Sequence, residues 1–336
     1  MTAIERGRGL VFMTGASGFI GGRLARALDA RGYRLRCLVR APERAAHLAM
    51  LGAELVVGDA ADENVLRKGM ASARYAIHLA GRYDLGLVDA AAMTRVNVTA
   101  TNAFLAALRR TEVERALYTS TVMALGPARG AEGSEDDVHS GPFASVYERT
   151  KTEAHHLALA AQRDGAPLII ICPALVYGPG DNGPSGRYVR DVLRHRVPGL
   201  SRKPAWFSYV HVEDVAEGMV AALERGRIGA TYVLSGEHVS ANDYTKRIAK
   251  LGRTWGPALR VPPALVKAMG SMMDALGRRF GVRLPISREL AETAGTGARW
   301  VHSHARALAE LGYRPRTLDE GLPETVRDAQ AQIERG

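Results

Sequence analysis

Leu10-Val11-Phe12-Met13-Thr14-Gly15-Ala16-Ser17-Gly18-Phe19-Ile20-Gly21 is the stretch that decides how this chain reads. It begins with a short apolar run, fit for a buried strand. Gly15, Gly18 and Gly21, spaced three apart, then turn the chain. An apolar helical pattern follows through Ile20, Leu24, Ala27 and Leu28. Strand, glycine turn and helix together make a phosphate site. The glycines let the backbone approach a pyrophosphate, and the helix N-terminus supplies N–H groups and a positive dipole end. Gly15, Ser17, Gly18, Phe19 and Ile20 are the candidates to line it. The spacing departs from G-x-G-x-x-G, so the turn alone is a weak signal that the rest of the chain must support.

At 336 residues the chain is long enough for one large domain or two. Apolar residues make up 46% and charged residues 24%, a globular composition with ample core. No apolar run reaches the ~20 residues a membrane helix needs. Leu10 to Met13 is too short for a signal-peptide core. The formal charge of +10 raises the question of nucleic acid. Arginine is spread along the chain, with no basic block and no aromatic interleaving, so an anionic cofactor explains the charge more simply. Cys37 and Cys172 sit in apolar, strand-like runs and read as reduced thiols of a cytoplasmic protein. No metal site is expected.

Strands and helices then alternate. Arg34 to Val39 reads as a second strand, Glu54 to Val57 as a third, Tyr75 to Gly81 as a fourth, Ala116 to Thr121 as a fifth and Leu168 to Cys172 as a sixth. Long helices are expected over Asp89 to Arg109 and Val146 to Arg163. Apolar strands alternating with helices predict a doubly wound parallel α/β sheet of Rossmann type, with ligands at the C-terminal strand ends. Those ends carry Gly15, Arg40, Asp59, Ala80, Thr121 and Pro173. Arg40 decides the cofactor. An acidic residue there would accept from the ribose 2′-OH of NAD, whereas an Arg holds a 2′-phosphate. The expectation is NADP, with NAD still possible, and Arg44 as a second positive charge.

After Pro173 the texture changes to a Gly/Pro loop, Tyr177 to Pro184, and then to scattered elements. These include Val212 to Arg225, Tyr232 to Leu234 and Pro263 to Arg279. The expected division is a dinucleotide domain over 1–175 and a smaller substrate-binding portion over 176–336, fused to the first and lending elements to it.

Tyr147-Glu148-Arg149-Thr150-Lys151 puts Tyr and Lys four apart, on one helix face. An ammonium beside a phenol favours the phenolate, and a Tyr so tuned passes a proton to or from a carbonyl oxygen. Thr121 offers a hydroxyl to polarise that same oxygen. Y-x-x-x-K alone is a common accident. Behind a glycine turn and a hydroxyl-rich strand end, in that order, it is far more specific.

Thr14-Gly15-x-x-Gly18-x-x-Gly21, Thr119-Ser120-Thr121 and Tyr147-x-x-x-Lys151 resemble the extended short-chain dehydrogenase/reductases, within the NAD-dependent epimerase/dehydratase superfamily. Tyr209 to Val215 is similar to a late motif of that family, so the likeness spans nearly the whole chain. The run Tyr118 to Pro127 is most similar to the dihydroflavonol reductase and 3β-hydroxysteroid dehydrogenase branch. The resemblance implies Thr121, Tyr147 and Lys151 as catalytic residues, Ser120 being a less favoured hydroxyl. It implies that Asp59 and Ala60 hold the adenine. Leu79, Ala80, Gly81 and Pro173 to Val176 would line the ribose and nicotinamide. It also implies a homodimer, the two long helices pairing across a two-fold axis.

Two departures bear on the substrate. Sugar-nucleotide epimerases of this family place an Asn near the position of Leu175 and an Arg near that of Phe207. Both changes remove polar partners that a diphosphate needs. A hydrophobic ketone or alcohol suits Tyr83, Met123 and Leu175 better, while Trp206 reads as core. Where Gly126 falls the plant flavonoid enzymes carry Asn, so a flavonoid is not supported. The expectation is an NADPH-dependent ketone reductase or the reverse dehydrogenase. The alternatives are a sugar-nucleotide epimerase or dehydratase with tightly held NAD, and a nucleotide-sensing module without turnover. Pro263 to Phe280, with Leu265, Val266, Met269, Met272, Met273 and Leu276 near one face and Arg278 and Arg279 at its end, reads as a packed helix, a lid or a membrane-touching surface.

Overall fold

The computed structural model describes residues 7–84, 88–280 and 297–335; the Arg278 side chain lies outside the described residues. In chain order the first elements are β1 (Leu10–Thr14), α1 (Phe19–Asp29), β2 (Arg34–Val39), the short α2 (Ala46–Ala49), β3 (Glu54–Val57), α3 (Glu63–Met70) and β4 (Tyr75–His78). Next come α4 (Ala90–Thr94), a π turn (Arg95–Thr99), α5 (Ala100–Leu108), β5 (Arg115–Thr119), α6 (Val146–Arg163) and β6 (Leu168–Pro173). Then follow β7 (Leu175–Tyr177), α7 (Pro184–Leu193), β8 (Leu200–Ser201), β9 (Trp206–His211), α8 (Val212–Arg225), β10 (Thr231–Leu234), β11 (Glu237–Ser240) and α9 (Ala241–Leu251). β12 (Arg260–Val261), α10 (Pro263–Phe280), β13 (Arg299–Trp300), α11 (Ala305–Leu311) and α12 (Leu318–Arg335) complete the order.

Seven strands form the main sheet in the order β10-β6-β5-β4-β1-β2-β3, every pair parallel. β1 and β6 are buried at every residue, which is why their sequences are apolar runs rather than alternations. Helices cover both faces, giving a Rossmann-type α/β fold. The main core runs from Phe12 and Leu24 through Ile77 and Leu117 to Ile170, Met219 and Val233.

The structure differs from the sequence reading at two places, and it shows which elements of residues 176–336 meet the Rossmann sheet: β10 as an edge strand and α8 on its face. β10 pairs with β6 through Thr231↔Ile170 to Leu234↔Pro173, and α8 packs on α1. A short apolar run such as Tyr232 to Leu234 does not reveal which sheet it will join. The helix expected over Asp89 to Arg109 contains the π turn Arg95–Thr99, which periodicity over a longer window averages away. Trp206, read as core, is 37% exposed, with the Arg299 guanidinium 5.5 Å from its ring.

A second sheet, β11-β9-β13 with β7 against β9, has its own core of Tyr177, Val189, Tyr209, Tyr244, Ile248 and Leu322. β6 and β7 carry the chain directly from one sheet to the other. On α10, Leu265, Met272, Leu276 and Phe280 are exposed, while Val266, Met269 and Met273 are half-buried. Among the described residues no helix is long and apolar enough to cross a membrane.

Candidate active site

β1 and β4 are neighbours where the winding of the sheet reverses, the place at which open α/β sheets bind ligands. Gly15 turns there with φ +72°, and a Cβ on it would lie 2.6 Å from the Ala80 amide nitrogen. On Gly21 a Cβ would come within 2.1 Å of the Gly15 carbonyl oxygen. Neither position admits a side chain, so α1 is drawn hard onto the turn. Gly18 is the N-cap of α1, without a side-chain cap and without an acidic residue in the first turn. Asp62, Ser145 and Ser240, by contrast, cap α3, α6 and α9. The first-turn N–H groups of α1, around the half-buried Phe19 and Ile20, thus face an acceptor from outside the chain, and the dipole favours an anion. A cleft of about 490 Å³ opens at this end, between Ser17, Gly18 and Arg23 on one side and Asn182 and Gly183 on the other. The cradle fits a pyrophosphate.

Thr14 and His78 brace the turn from below. Thr14 Oγ1 lies 2.8 Å from His78 Nδ1 and accepts from the Ala80 N–H at 3.2 Å. Leu79 and Ala80 are half-buried beyond β4, and Gly81 is exposed. Arg40 and Arg44 are exposed past the end of β2. Asp59, past β3, accepts from the Ala61 N–H at 2.9 Å and pairs with Arg95 at 2.7 Å; these hold its carboxyl below the usual range. Ala60 beside it is half-buried.

β5 and α6 supply the reacting groups. Thr121 follows β5 as the N-cap of a 3-10 turn, its Oγ1 accepting from the Met123 N–H at 3.3 Å. The hydroxyl proton is left for another acceptor. Ser145 caps α6, its Oγ accepting from the Glu148 N–H at 2.8 Å, and so fixes the turn that bears Tyr147. Burial pushes the Tyr147 hydroxyl up to about 12, opposed by the polar side chain of Thr121. One turn on, Lys151 is buried, and burial lowers its ammonium to about 8. Its Nζ donates to the Thr119 carbonyl at 2.7 Å and to the Tyr118 hydroxyl at 3.4 Å. Ser120 turns the other way, its Oγ 2.9 Å from His155 Nδ1.

Around this group the surface is aromatic and apolar. The Tyr83 ring lies against that of Tyr147, centroids 4.7 Å apart. Met123 is half-buried on the turn after Thr121. Pro173 is buried at the end of β6, and Leu175 and Val176 are half-buried on β7, where Leu175 pairs with Tyr209. Phe207 and Tyr209 pack edge to face at 6.1 Å.

Three elements of the site escaped the sequence reading. Asn97, in the π turn, accepts from the Arg82 N–H at 2.8 Å and donates to Thr150 Oγ1 at 3.0 Å, tying the end of β4 to α6. His139 and Glu148 form a buried pair at 2.6 Å beside Tyr147. Tyr118 meets Lys151 from below. A polar residue amid apolar helix neighbours was the available signal for Asn97; the other two depend on contacts that spacing does not encode.

The model of the NAD dependent epimerase/dehydratase family matches residues 11–235. The chain belongs to that family. Within it, the chain is 29% identical to a 4-hydroxy-2-methyl-3-oxo-4-farnesyl-3,4-dihydroquinoline-1-oxide ketoreductase of Stigmatella aurantiaca, over 95% of this chain and 96% of the relative. It is 27% identical to a 3 beta-hydroxysteroid dehydrogenase/Delta 5-->4-isomerase of Mycobacterium tuberculosis, over 94% and 90%. The crystal structure of gox2253 superposes with a TM-score of 0.82 at 30% identity, covering 97% of this chain and 99% of that one. This member of the epimerase/dehydratase family is therefore an enzyme of the extended short-chain dehydrogenase/reductase type, and its chemistry is at CH–OH and C=O groups.

Proposed function

We propose that the enzyme reduces a ketone on a hydrophobic small molecule with NADPH, or oxidises the corresponding secondary alcohol. The observation that carries this reading is the assembly of Thr121 just past β5, Tyr147 in the first turn of α6 and the buried Lys151 one helical turn on. In this reading Thr121 and Tyr147 hold the substrate oxygen between their hydroxyls. The Tyr147 O–H delivers its proton to that oxygen, and Lys151 stabilises the phenolate that remains. A bound nicotinamide would supply the hydride for the carbonyl carbon. Gly15, Ser17, Gly18, Phe19 and Ile20 would hold the pyrophosphate. Asp59 and Ala60 would hold the adenine, and Leu79, Ala80, Gly81, Pro173 and Val176 the ribose and nicotinamide. Arg40 would take the 2′-phosphate.

The substrate class follows from what surrounds Tyr147. Tyr83, Met123 and Leu175 offer aromatic and apolar surface, and residues 176–336 would complete the substrate-facing wall. The two relatives, a farnesyl-dihydroquinoline ketoreductase and a hydroxysteroid dehydrogenase, support a hydrophobic ligand. The family's breadth favours a second reading, a sugar-nucleotide epimerase with retained NAD. Against it, Leu175 and Phe207 present apolar side chains where a diphosphate needs donors. A screen of hydrophobic ketones and secondary alcohols with each cofactor, followed by cofactor absorbance, tests the proposal. Net oxidation of NADPH by a ketone supports it; isomerisation of a nucleotide sugar without net cofactor turnover replaces it with the second reading.

A further inference from the structure

A buried ammonium normally needs a carboxylate, because desolvation of a lone charge is costly. Lys151 is 5% exposed, yet its ionisable neighbours among the described residues bring no negative charge. His78 on β4 and His155 one turn along α6 are neutral, burial lowering each to about 3. Cys172 on β6 is a neutral thiol, pushed up to about 12 by burial. Tyr147, one turn back, keeps its proton to about 12. Tyr118 on β5 is buried, which raises its hydroxyl above the ordinary value.

What meets the ammonium instead is the Thr119 carbonyl and one whole side chain, Tyr118. Its hydroxyl oxygen lies 3.4 Å from Lys151 Nζ, and its ring centroid 5.0 Å away. Tyr118 is itself immobilised. Its side chain is 1% exposed, packed in the core beside His78. Thr101 Oγ1 donates to the Asn97 carbonyl at 2.7 Å and lies 3.4 Å from His78 Nε2. The His78 and Tyr118 rings stack at 6.1 Å, and His78 is held in turn by Thr14.

We propose that Tyr118 is a positioning residue, whose hydroxyl oxygen and ring face together keep Lys151 an ammonium in the place from which it acts on Tyr147. The effect on turnover rests on the catalytic reading above; the effect on the Lys151 charge does not. Hydrogen bonds to charged groups and cation–π contacts are the two attractions that replace a carboxylate here, and both favour the protonated amine. Tyr118→Phe removes the first and keeps the second. Tyr118→Leu removes both.

The direct test is NMR titration of protein labelled at the lysine ε-carbons, the Lys151 resonance being assigned by its loss in Lys151→Met. The expected midpoint in Tyr118→Phe is about one pH unit below that of the unaltered protein, and that of Tyr118→Leu is lower again. Activity gives a second readout. The alkaline limb of the kcat profile moves down with the midpoint, whereas a merely structural role lowers kcat equally at every pH. An unchanged Lys151 midpoint in Tyr118→Phe overturns the proposal. If no ketone is turned over, the titration still decides it, because that failure belongs to the functional reading alone. Should Tyr118→Phe not fold, 3-fluorotyrosine in place of Tyr118 keeps the shape and weakens the same oxygen and ring as partners of the ammonium. A smaller downward move then supports the proposal, and no move overturns it.

Discussion

His139→Leu should cost the protein several kcal/mol without touching the reacting groups. The His139 and Glu148 side chains are 8% and 2% exposed, and His139 Nε2 lies 2.6 Å from Glu148 Oε1. His139 Nδ1 accepts from the Gly141 N–H at 3.3 Å, so the proton sits on Nε2, which donates to the carboxylate. The other oxygen, Oε2, accepts from the Ala144 N–H at 2.7 Å. Leu at 139 leaves a buried carboxylate with half its partners, a change worth about 3–5 kcal/mol. The edge-to-face contact of His139 with Phe143, centroids 4.8 Å apart, is lost as well. At about 2 °C per kcal/mol for a large chain, the melting temperature should fall by roughly 6–10 °C. The double variant His139→Leu/Glu148→Met removes the stranded charge and should recover a large part of the loss. Calorimetry of the parent, the single and the double variants measures this. A fall of under about 2 °C in the single variant refutes the reasoning, since that is below 1 kcal/mol. So does a double variant no more stable than the single.

Two further outcomes follow from the proposed cofactor and assembly. Arg40→Asp should weaken NADPH binding by roughly ten- to hundred-fold, the scale of one charge-assisted hydrogen bond, and leave NADH binding equal or improved; calorimetric titration of both cofactors checks it, and equal affinity of the unaltered protein for both would place Arg40 at the surface without a role. The helices over Ala90–Leu108 and α6 are proposed to pair across a two-fold axis, so light scattering at micromolar concentration should report a dimer, and a monomer would count against it.

The parts of the site that were legible in the sequence are those whose geometry is local. Gly15 and Gly21 announce themselves because only glycine fits where a Cβ would strike the backbone within a few residues or on the adjoining strand. Tyr147 and Lys151 are legible because four residues is one turn of a helix, and α6 runs over the expected Val146–Arg163. Thr121 was readable as the hydroxyl at a strand end, though the strand itself stops two residues earlier, at Thr119, and Thr121 caps the 3-10 turn that begins at Val122. What escaped depends on contacts between distant segments. Glu148 looks like a solvated helix residue until residues 139–144 fold over it. Tyr118 reads as one more apolar strand residue, and its hydroxyl acquires meaning only when α6 brings Lys151 against it. Which element of residues 176–336 the Rossmann sheet would take was not legible for the same reason: the short apolar run Tyr232 to Leu234 says that a strand is buried, not beside which neighbour.

The central claim is that the Tyr147 hydroxyl moves the proton to or from the substrate oxygen. Tyr147→Phe keeps the ring and its contact with Tyr83 and deletes only that hydroxyl. Steady-state turnover of the best ketone found by the screen, with NADPH affinity measured alongside, is the direct measurement. The account predicts a fall in kcat of ~10²-fold or more with cofactor binding nearly unchanged. Turnover within a few-fold of the unaltered enzyme would contradict it.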